Sequence, residues 1–306
     1  VDFSRAFPAA TTLAVPRELL ADVRDAGVAR LLAGEIDEAE YESDMRAARL
    51  SAYRQLADDG LYEPHAIPAD FAHGSLLVST AIVLGLIGGS SSHVSLRAEL
   101  DLEPPAGLTG AAAPSAGPVR PGRLFDLRAE AFDEEGLEIR PVFAGPASVL
   151  RAFAGGLADD AAGQAWVDVL TNAYSEVLRL MAADGTVWVQ IDERQPALGE
   201  VEVDSPVSGA DQLARRVWEN IAVLEADVAR PRIFAVVAPQ GTAVEAVLVE
   251  TAEQADACGE AKAVLDLGND PQAATAALIA AGAQFRTAVA GRAEEARAAV
   301  LRLVMG

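Results

Sequence analysis

The chain has 306 residues, 51% hydrophobic and 5% aromatic, with 24 Lys and Arg against 46 Asp and Glu for a net charge of −22. That length suits one large barrel or two modest domains, with a core built mainly of Ala, Val and Leu. The acidity excludes nucleic-acid binding through a basic surface and disfavours an anionic membrane, because no basic stripe displaces phosphate counterions.

The first residues, "VDFSRAFPAATTLAVPREL", lack the basic start and continuous apolar run of a secretory signal. Within them "TTLAV" reads as a short strand. Residues 35–58 read as a helix, because Tyr41, Met45, Ala48, Ala52 and Leu56 share one face. Asp37 is its N-cap, Glu40 the capping-box partner and Gly60 the stop. "HAIP" is a second short extended piece, leading to Asp70. Residues 75–87 read as a buried helix or an apolar crossover. Their apolar run, Leu76 to Gly89, spans 14 residues, and a bilayer needs about 20.

From residue 88 to 122 the chain turns rich in Gly, Pro, Ser and Ala and loses its periodicity, as a surface excursion does. Its start, "GLIGGSSSH", matches neither the P-loop nor the dinucleotide-binding glycine pattern. After Arg123 helices and strands alternate. "FDLRAEAFDEEG" is helical and "IRPVFAG" a strand. Residues 164–183 form a helix with Trp166, Leu170, Ala173, Val177 and Met181 on one side, and "TVWVQIDE" is a strand. Residues 211–227 form a helix capped by Asp211, with Leu213, Val217, Ile221 and Leu224 inward. "RIFAVVAP" is a strand, "VEAVLVETAEQADA" helical, "AKAVLDLG" a strand, "PQAATAALIAAG" helical, "FRTAVAG" a strand and "RAEEARAAVLRLVM" a final helix.

Strands alternating with helices predict a parallel sheet covered by helices. Strands ending in charge suit a barrel with its chemistry at their carboxyl ends. About seven candidate strands are visible and an eighth is not evident. The expected fold is therefore α/β, a (β/α)8 TIM-barrel-like domain over 1–306, degenerate or incomplete at the last strand, with the excursion at 88–122.

The stretch "YSEVLRLMAADGTVWVQIDERQPAL" resembles the cobalamin-independent methionine synthase family, which carries a helix, a Gly turn and a strand close to W-V-Q-I-D-E-P-A-L. "FPAATTLAVPREL" looks like that family's opening strand and first helix start. Ile67-Pro68-Ala69-Asp70-Phe71 looks like its Ile-Pro-x-x-Asp-Phe strand end, and "IRPVFAGPASVLRAFAG" resembles its K-P-V-L-x-G-P-V-T segment. The ordered set covers most of the chain outside 88–122 and favours the family's N-terminal barrel over its catalytic C-terminal one.

The resemblance implies methyl transfer from 5-methyltetrahydrofolate to a thiol such as homocysteine. In the family a zinc held by a His-x-Cys pair, a Glu and a second Cys lowers the thiol's pKa. Here His65, His73 and His93 have no Cys two places on, and Cys258 is the single cysteine. No metal ligands and no cofactor held by this chain are expected, with folate entering only as a co-substrate. At the family's basic folate-tail segment Arg17 matches, but the following lysine is Leu20.

The substrate-binding candidates are Asp192, Glu193, Asp70, Asp266, Arg17 and His73; no catalytic residue is assigned. Asp192 and Glu193 could bind a substrate amino group or do acid–base work. Alternatively they form an ion pair with Arg194 or a helix cap. Asp70 and His73 are an acid–base pair or a solvated loop. Cys258 is buried filler or a reactive thiol.

The functional expectation is a methionine-synthase-like protein dependent on a partner chain or divergent. The alternative is a non-catalytic barrel serving as a binding or assembly subunit, its missing strand covered by a partner. The expected partners are a second copy or a separate zinc-bearing methionine synthase barrel, with no nucleic acid and no membrane. The expected compartment is the cytoplasm.

Overall fold

The structure, a computed structural model, describes residues 7–13, 17–69, 72–73, 75–87, 96, 99, 117–153, 161–194, 209–237, 242–249, 262–266 and 287–290. Eight strands lie among them: β1 Ala10–Thr11, β2 Pro68–Ala69, β3 Arg140–Ala144, β4 Trp188–Asp192, β5 Arg232–Val236, β6 Ala246–Val249, β7 Lys262–Asp266 and β8 Thr287–Ala290. Seven helices accompany them: α1 Arg17–Ala33, α2 Glu38–Asp58, α3 Leu76–Val83, α4 Gly122–Glu135, α5 Pro146–Phe153, α6 Ala161–Ala183 and α7 Gly209–Ala222. None of the helices is long and apolar enough to cross a membrane.

Local sequence accounts for most of these. Asp37 caps α2, its Oδ1 accepting the Glu40 N–H at 2.8 Å. The return arm of the expected capping box is replaced, because the Glu40 carboxylate turns to Arg30 Nη2 at 3.3 Å. Gly60 ends the helix region in a left-handed conformation, φ 110°, which glycine adopts without steric cost. The buried face of α2 includes Arg49 as well as the expected apolar residues. Its guanidinium forks onto Glu130 of α4, Nε to Oε1 at 3.2 Å and Nη2 to Oε2 at 3.0 Å, so pairing makes the burial tolerable.

The chain forms two compact units interleaved in sequence: residues 1–70, 126–141 and 245–306 in the first, 71–125 and 142–244 in the second. In the first unit β6, β7, β8 and β1 form one parallel ladder, with registers such as Val247↔Ala263, Leu265↔Val289 and Ala10↔Val289. β2 pairs there with the start of β3, Pro68↔Arg140. In the second unit β3, β4 and β5 form a parallel ladder with registers Phe143↔Ile191 and Ile191↔Ala235. Parallel strands alternating with helices are the TIM-barrel-like α/β class that the pattern predicts. The sheet is not closed: no ladder joins β1 to β2 among the described residues.

Several expectations change. "VEAVLV", read as helical, contains strand β6. A continuous apolar run has no period to separate helix from strand, and the ladder to β7 decides it. With β6 present and β8 laddered to both β7 and β1, the last strand is in place. The sheet's open ends, among the described residues, are β1 and β2. The helix read at 211–227 is α7, Gly209–Ala222, so Leu224 lies beyond it. Asp211 lies in its first turn rather than at its cap, and its carboxylate accepts from Arg151 of α5, as the positive end of a helix dipole favours.

Of the 88–122 excursion, the returning end is described. Gly117 N–H donates to Gly85 O at 2.9 Å and Arg120 Nη1 to Ile82 O and Ile87 O at 3.1 and 3.0 Å, so it docks on the carbonyls at the end of α3. The helices read at 271–282 and 291–305, and Cys258, lie outside the described residues.

Candidate functional site

All five residues of β4 are buried, as expected of a parallel strand covered on both faces. Its carboxyl end delivers Asp192, Glu193 and Arg194. The main chain there is held on both sides: Gly145 N–H donates to Asp192 O at 2.9 Å and Glu193 N–H to Val236 O at 3.0 Å. Successive strand residues face opposite ways, and the two acids meet different partners.

Glu193 caps a helix from outside it. α5 begins at Pro146, a favourable first position, after Gly145, which has no side chain to cap with. The N–H groups of Ala147 and Ser148 would be left without acceptors. Glu193 Oε1 accepts from Ala147 N at 3.0 Å and Oε2 from Ser148 N at 2.9 Å. Trp218 Nε1 of α7 adds a bond to Oε1 at 2.8 Å. Ser148 Oγ lies 3.1 Å from both Oε2 and Glu193 O, and its single proton serves one at a time. Gly145 is required for this approach, since a Cβ on it would sit 2.2 Å from Glu193 Cδ.

Burial pushes the Glu193 carboxyl above its ordinary value, and the bonds from Ala147, Trp218 and Ser148 oppose that only in part. Tyr174 is buried beside it and donates to Ala144 O at 2.6 Å. Burial first, and the Glu193 charge second, push the phenol well above its usual range, so it stays neutral. Both oxygens of Glu193 are occupied and the residue is 7% exposed. It is placed to hold α5, not to meet a substrate.

Asp192 has the other fate. Arg194 folds back on it, Nη2 to Oδ2 at 2.6 Å, Nε to Oδ1 at 3.1 Å and the backbone N–H to Oδ1 at 2.8 Å. Gln190 Nε2 stands 3.5 Å from Oδ2. The carboxylate is buried while the arginine side chain is 40% exposed. The group presented at the end of β4 is thus an arginine oriented by an aspartate. Beside it Val237, just past β5, is exposed at φ 61°, a conformation that costs a β-branched residue.

The other predicted residues are placed as follows. His73 is buried in the second unit with Asp192 and Glu193. Arg17 opens α1 and Asp266 ends β7 in register with Ala290, both in the first unit. Asp70 lies outside the described residues. Among the described residues no three His, Cys, Asp or Glu side chains gather. His65 Nε2 already meets Glu138 Oε2 at 3.1 Å.

Gly145, Ser148, Tyr174 and Trp218 belong to this site and were not singled out from the sequence. The signal available was a glycine before Pro146, a helix start with no cap of its own, which calls for an acceptor from elsewhere.

Residues 117–229 match the family described as the cobalamin-independent synthase N-terminal domain. That stretch contains β3, β4, α5, α6 and α7, hence the whole Glu193 network. The chain is 29% identical over 185 residues to a 5-methyltetrahydropteroyltriglutamate–homocysteine methyltransferase of Listeria innocua serovar 6a, covering 52% of this chain and 23% of that protein. The protein of the same name from Listeria monocytogenes serotype 4b matches at the same identity and coverage. The chain thus spans about a quarter of the length of these curated relatives.

Proposed function

We propose that this chain, whose residues 117–229 match the cobalamin-independent synthase N-terminal domain, is the binding half of a methionine-synthase-like methyl transfer and does not carry the chemistry alone. The observation that carries this reading is the use of the two acids at the end of β4. Glu193 is consumed as the cap of α5, and Asp192 is neutralised by Arg194. Neither is left as a general base, which must reach the proton it abstracts.

What the rim offers is recognition. Arg194 is oriented by Asp192 with its side chain 40% exposed, a positive group that suits a carboxylate, and both a thiol amino acid such as homocysteine and the glutamyl tail of a folate carry one. The thiol activation that the relatives' name implies would come from a separate zinc-bearing barrel, with folate as co-substrate. A second copy of this chain is the other candidate partner, and the cytoplasm the expected compartment.

Titration calorimetry with homocysteine and with 5-methyltetrahydrofolate tests the reading. Binding of either, weakened about tenfold or more by Arg194→Ala, a loss of roughly 1.4 kcal/mol, supports it. Methyl transfer by the purified chain alone would overturn the division of labour.

The alternative, a non-catalytic barrel used for assembly, is favoured by the same consumption of Glu193. It predicts that neither compound binds and that a stable oligomer forms.

A further inference from the structure

The peptide that joins Glu193 to Arg194 lies one step beyond the ladder. β4 pairs with β5 as far as Asp192↔Val236. Backbone bonds still hold the preceding peptide, Gly145 N–H to Asp192 O at 2.9 Å and Glu193 N–H to Val236 O at 3.0 Å. Past it, side chains grip the main chain. Ser148 Oγ reaches Glu193 O at 3.1 Å, and the Arg194 N–H donates to Asp192 Oδ1 at 2.8 Å. These contacts take opposite edges of one planar unit, so its tilt is set from both sides. The Arg194 side chain leaves this unit and folds back on Asp192, Nε to Oδ1 at 3.1 Å and Nη2 to Oδ2 at 2.6 Å.

We infer that Ser148 is a positioning residue for Arg194: its hydroxyl steers the peptide from which the guanidinium is presented. The inference rests on the reading of Arg194 as the recognising group of the rim. Ser148 stands on α5, which also buries Ala147, Val149, Leu150 and Phe153, so its hydroxyl comes from a fixed platform and has one staggered torsion to settle. The Glu193 carboxylate already takes N–H donors from Ala147, Ser148 and Trp218, so the hydroxyl adds most at the Glu193 carbonyl. Two atoms of one serine thus do two jobs. Its N–H is capped by the Glu193 side chain and holds α5, while its Oγ holds the Glu193 main chain. A substitution that spares the first and removes the second separates them.

Ser148→Ala is that substitution, and it places a better helix former in α5. Its urea midpoint should fall less than that of Glu193→Ala. Nitrogen-15 NMR of the full chain reads the Nε–H of Arg194, assigned by its loss in Arg194→Lys. That proton is expected to exchange with water about threefold faster or more in Ser148→Ala. Ser148→Thr, which restores a hydroxyl, should bring it back toward the unaltered rate. Should the added methyl overpack the site, seen as a fall in the urea midpoint, Ser148→Ala against the unaltered protein decides alone. Calorimetry is the second arm: whichever of homocysteine and 5-methyltetrahydrofolate the unaltered protein binds should bind Ser148→Ala about threefold more weakly or worse. Binding of neither to the unaltered protein would sink the reading of Arg194 as the recognising group, and the exchange rates would still decide the role of Ser148. Arg194 exchange unchanged in Ser148→Ala, or a well-folded Ser148→Thr as fast as Ser148→Ala, would overturn the inference.

Discussion

The carboxyl end of β4 and the β1–β2 seam each bury a charged side chain, and each uses it differently. Glu193 works on top of intact ladders. β3, β4 and β5 are already joined by their backbones, and the carboxylate adds the start of α5 and the indole of α7. Arg140 ties the two end strands through its side chain, donating to Thr11 Oγ1, Thr12 O and the His65 carbonyl. A buried charge is costly until its partners are in place; at the rim the partners are N–H groups at a helix start, and at the seam they are two carbonyls and a hydroxyl. The lesson is that each buried charge is held by groups distant in sequence, so removing it should loosen more than one element.

The largest break is Glu193→Ala. It strands two backbone N–H groups and an indole N–H in a dry site, and should cost about 3–5 kcal/mol. All three tryptophans, Trp166, Trp188 and Trp218, are buried and lie in the second unit. Urea unfolding followed by tryptophan fluorescence therefore reads this region directly; a loss under about 1 kcal/mol would show the cap to be dispensable.

Gly145→Ala comes next. The new methyl must displace the Glu193 carboxylate, whose Cδ would be 2.2 Å away, and overpacking of this kind costs roughly 1–3 kcal/mol. Combined with Glu193→Ala the clash disappears, so the double variant should be less unstable than the two losses summed.

The pH dependence sharpens the comparison. The folded Glu193 carboxyl lies above its ordinary value, burial being the main cause, so the folded state binds that proton more tightly. Its contribution to stability is full below about pH 4.3, the ordinary glutamate value, and is lost as pH rises through the folded value. The stability of the unaltered protein relative to Glu193→Gln should decline as pH rises above the ordinary glutamate value. The opposite trend would mean that the donors outweigh the burial.

Smaller effects close the series. Val237→Gly relieves a β-branched residue at positive φ and should gain up to about 1 kcal/mol, read from the urea midpoint. Arg46→Ala breaks an exposed pair with Glu134 at 2.7 Å and should cost less than about 1 kcal/mol, shrinking further in salt.

Much of the fold was legible because it is written in periods. The face of α6, with Trp166, Leu170, Ala173, Val177 and Met181, is buried as its spacing requires, and "TVWVQIDE" is β4. The Asp37 cap is equally local. Strand β6 was not legible, since "VEAVLV" is apolar at nearly every position and only its pairing with β7 separates strand from helix.

At the candidate site the sequence by itself determined that charge stands at the end of a buried strand, because composition and periodicity are properties of neighbours along the chain. Which acid would pair and which would cap was decided only by the tertiary structure. Glu193 meets α5, 45 residues earlier for Ser148, and α7, 25 residues later for Trp218. Arg140 likewise read as the start of an ordinary strand, and its partner Thr11 is 129 residues away. Hydrogen bonds between groups so distant in sequence leave no local pattern; they exist only once backbone ladders have brought their ends together.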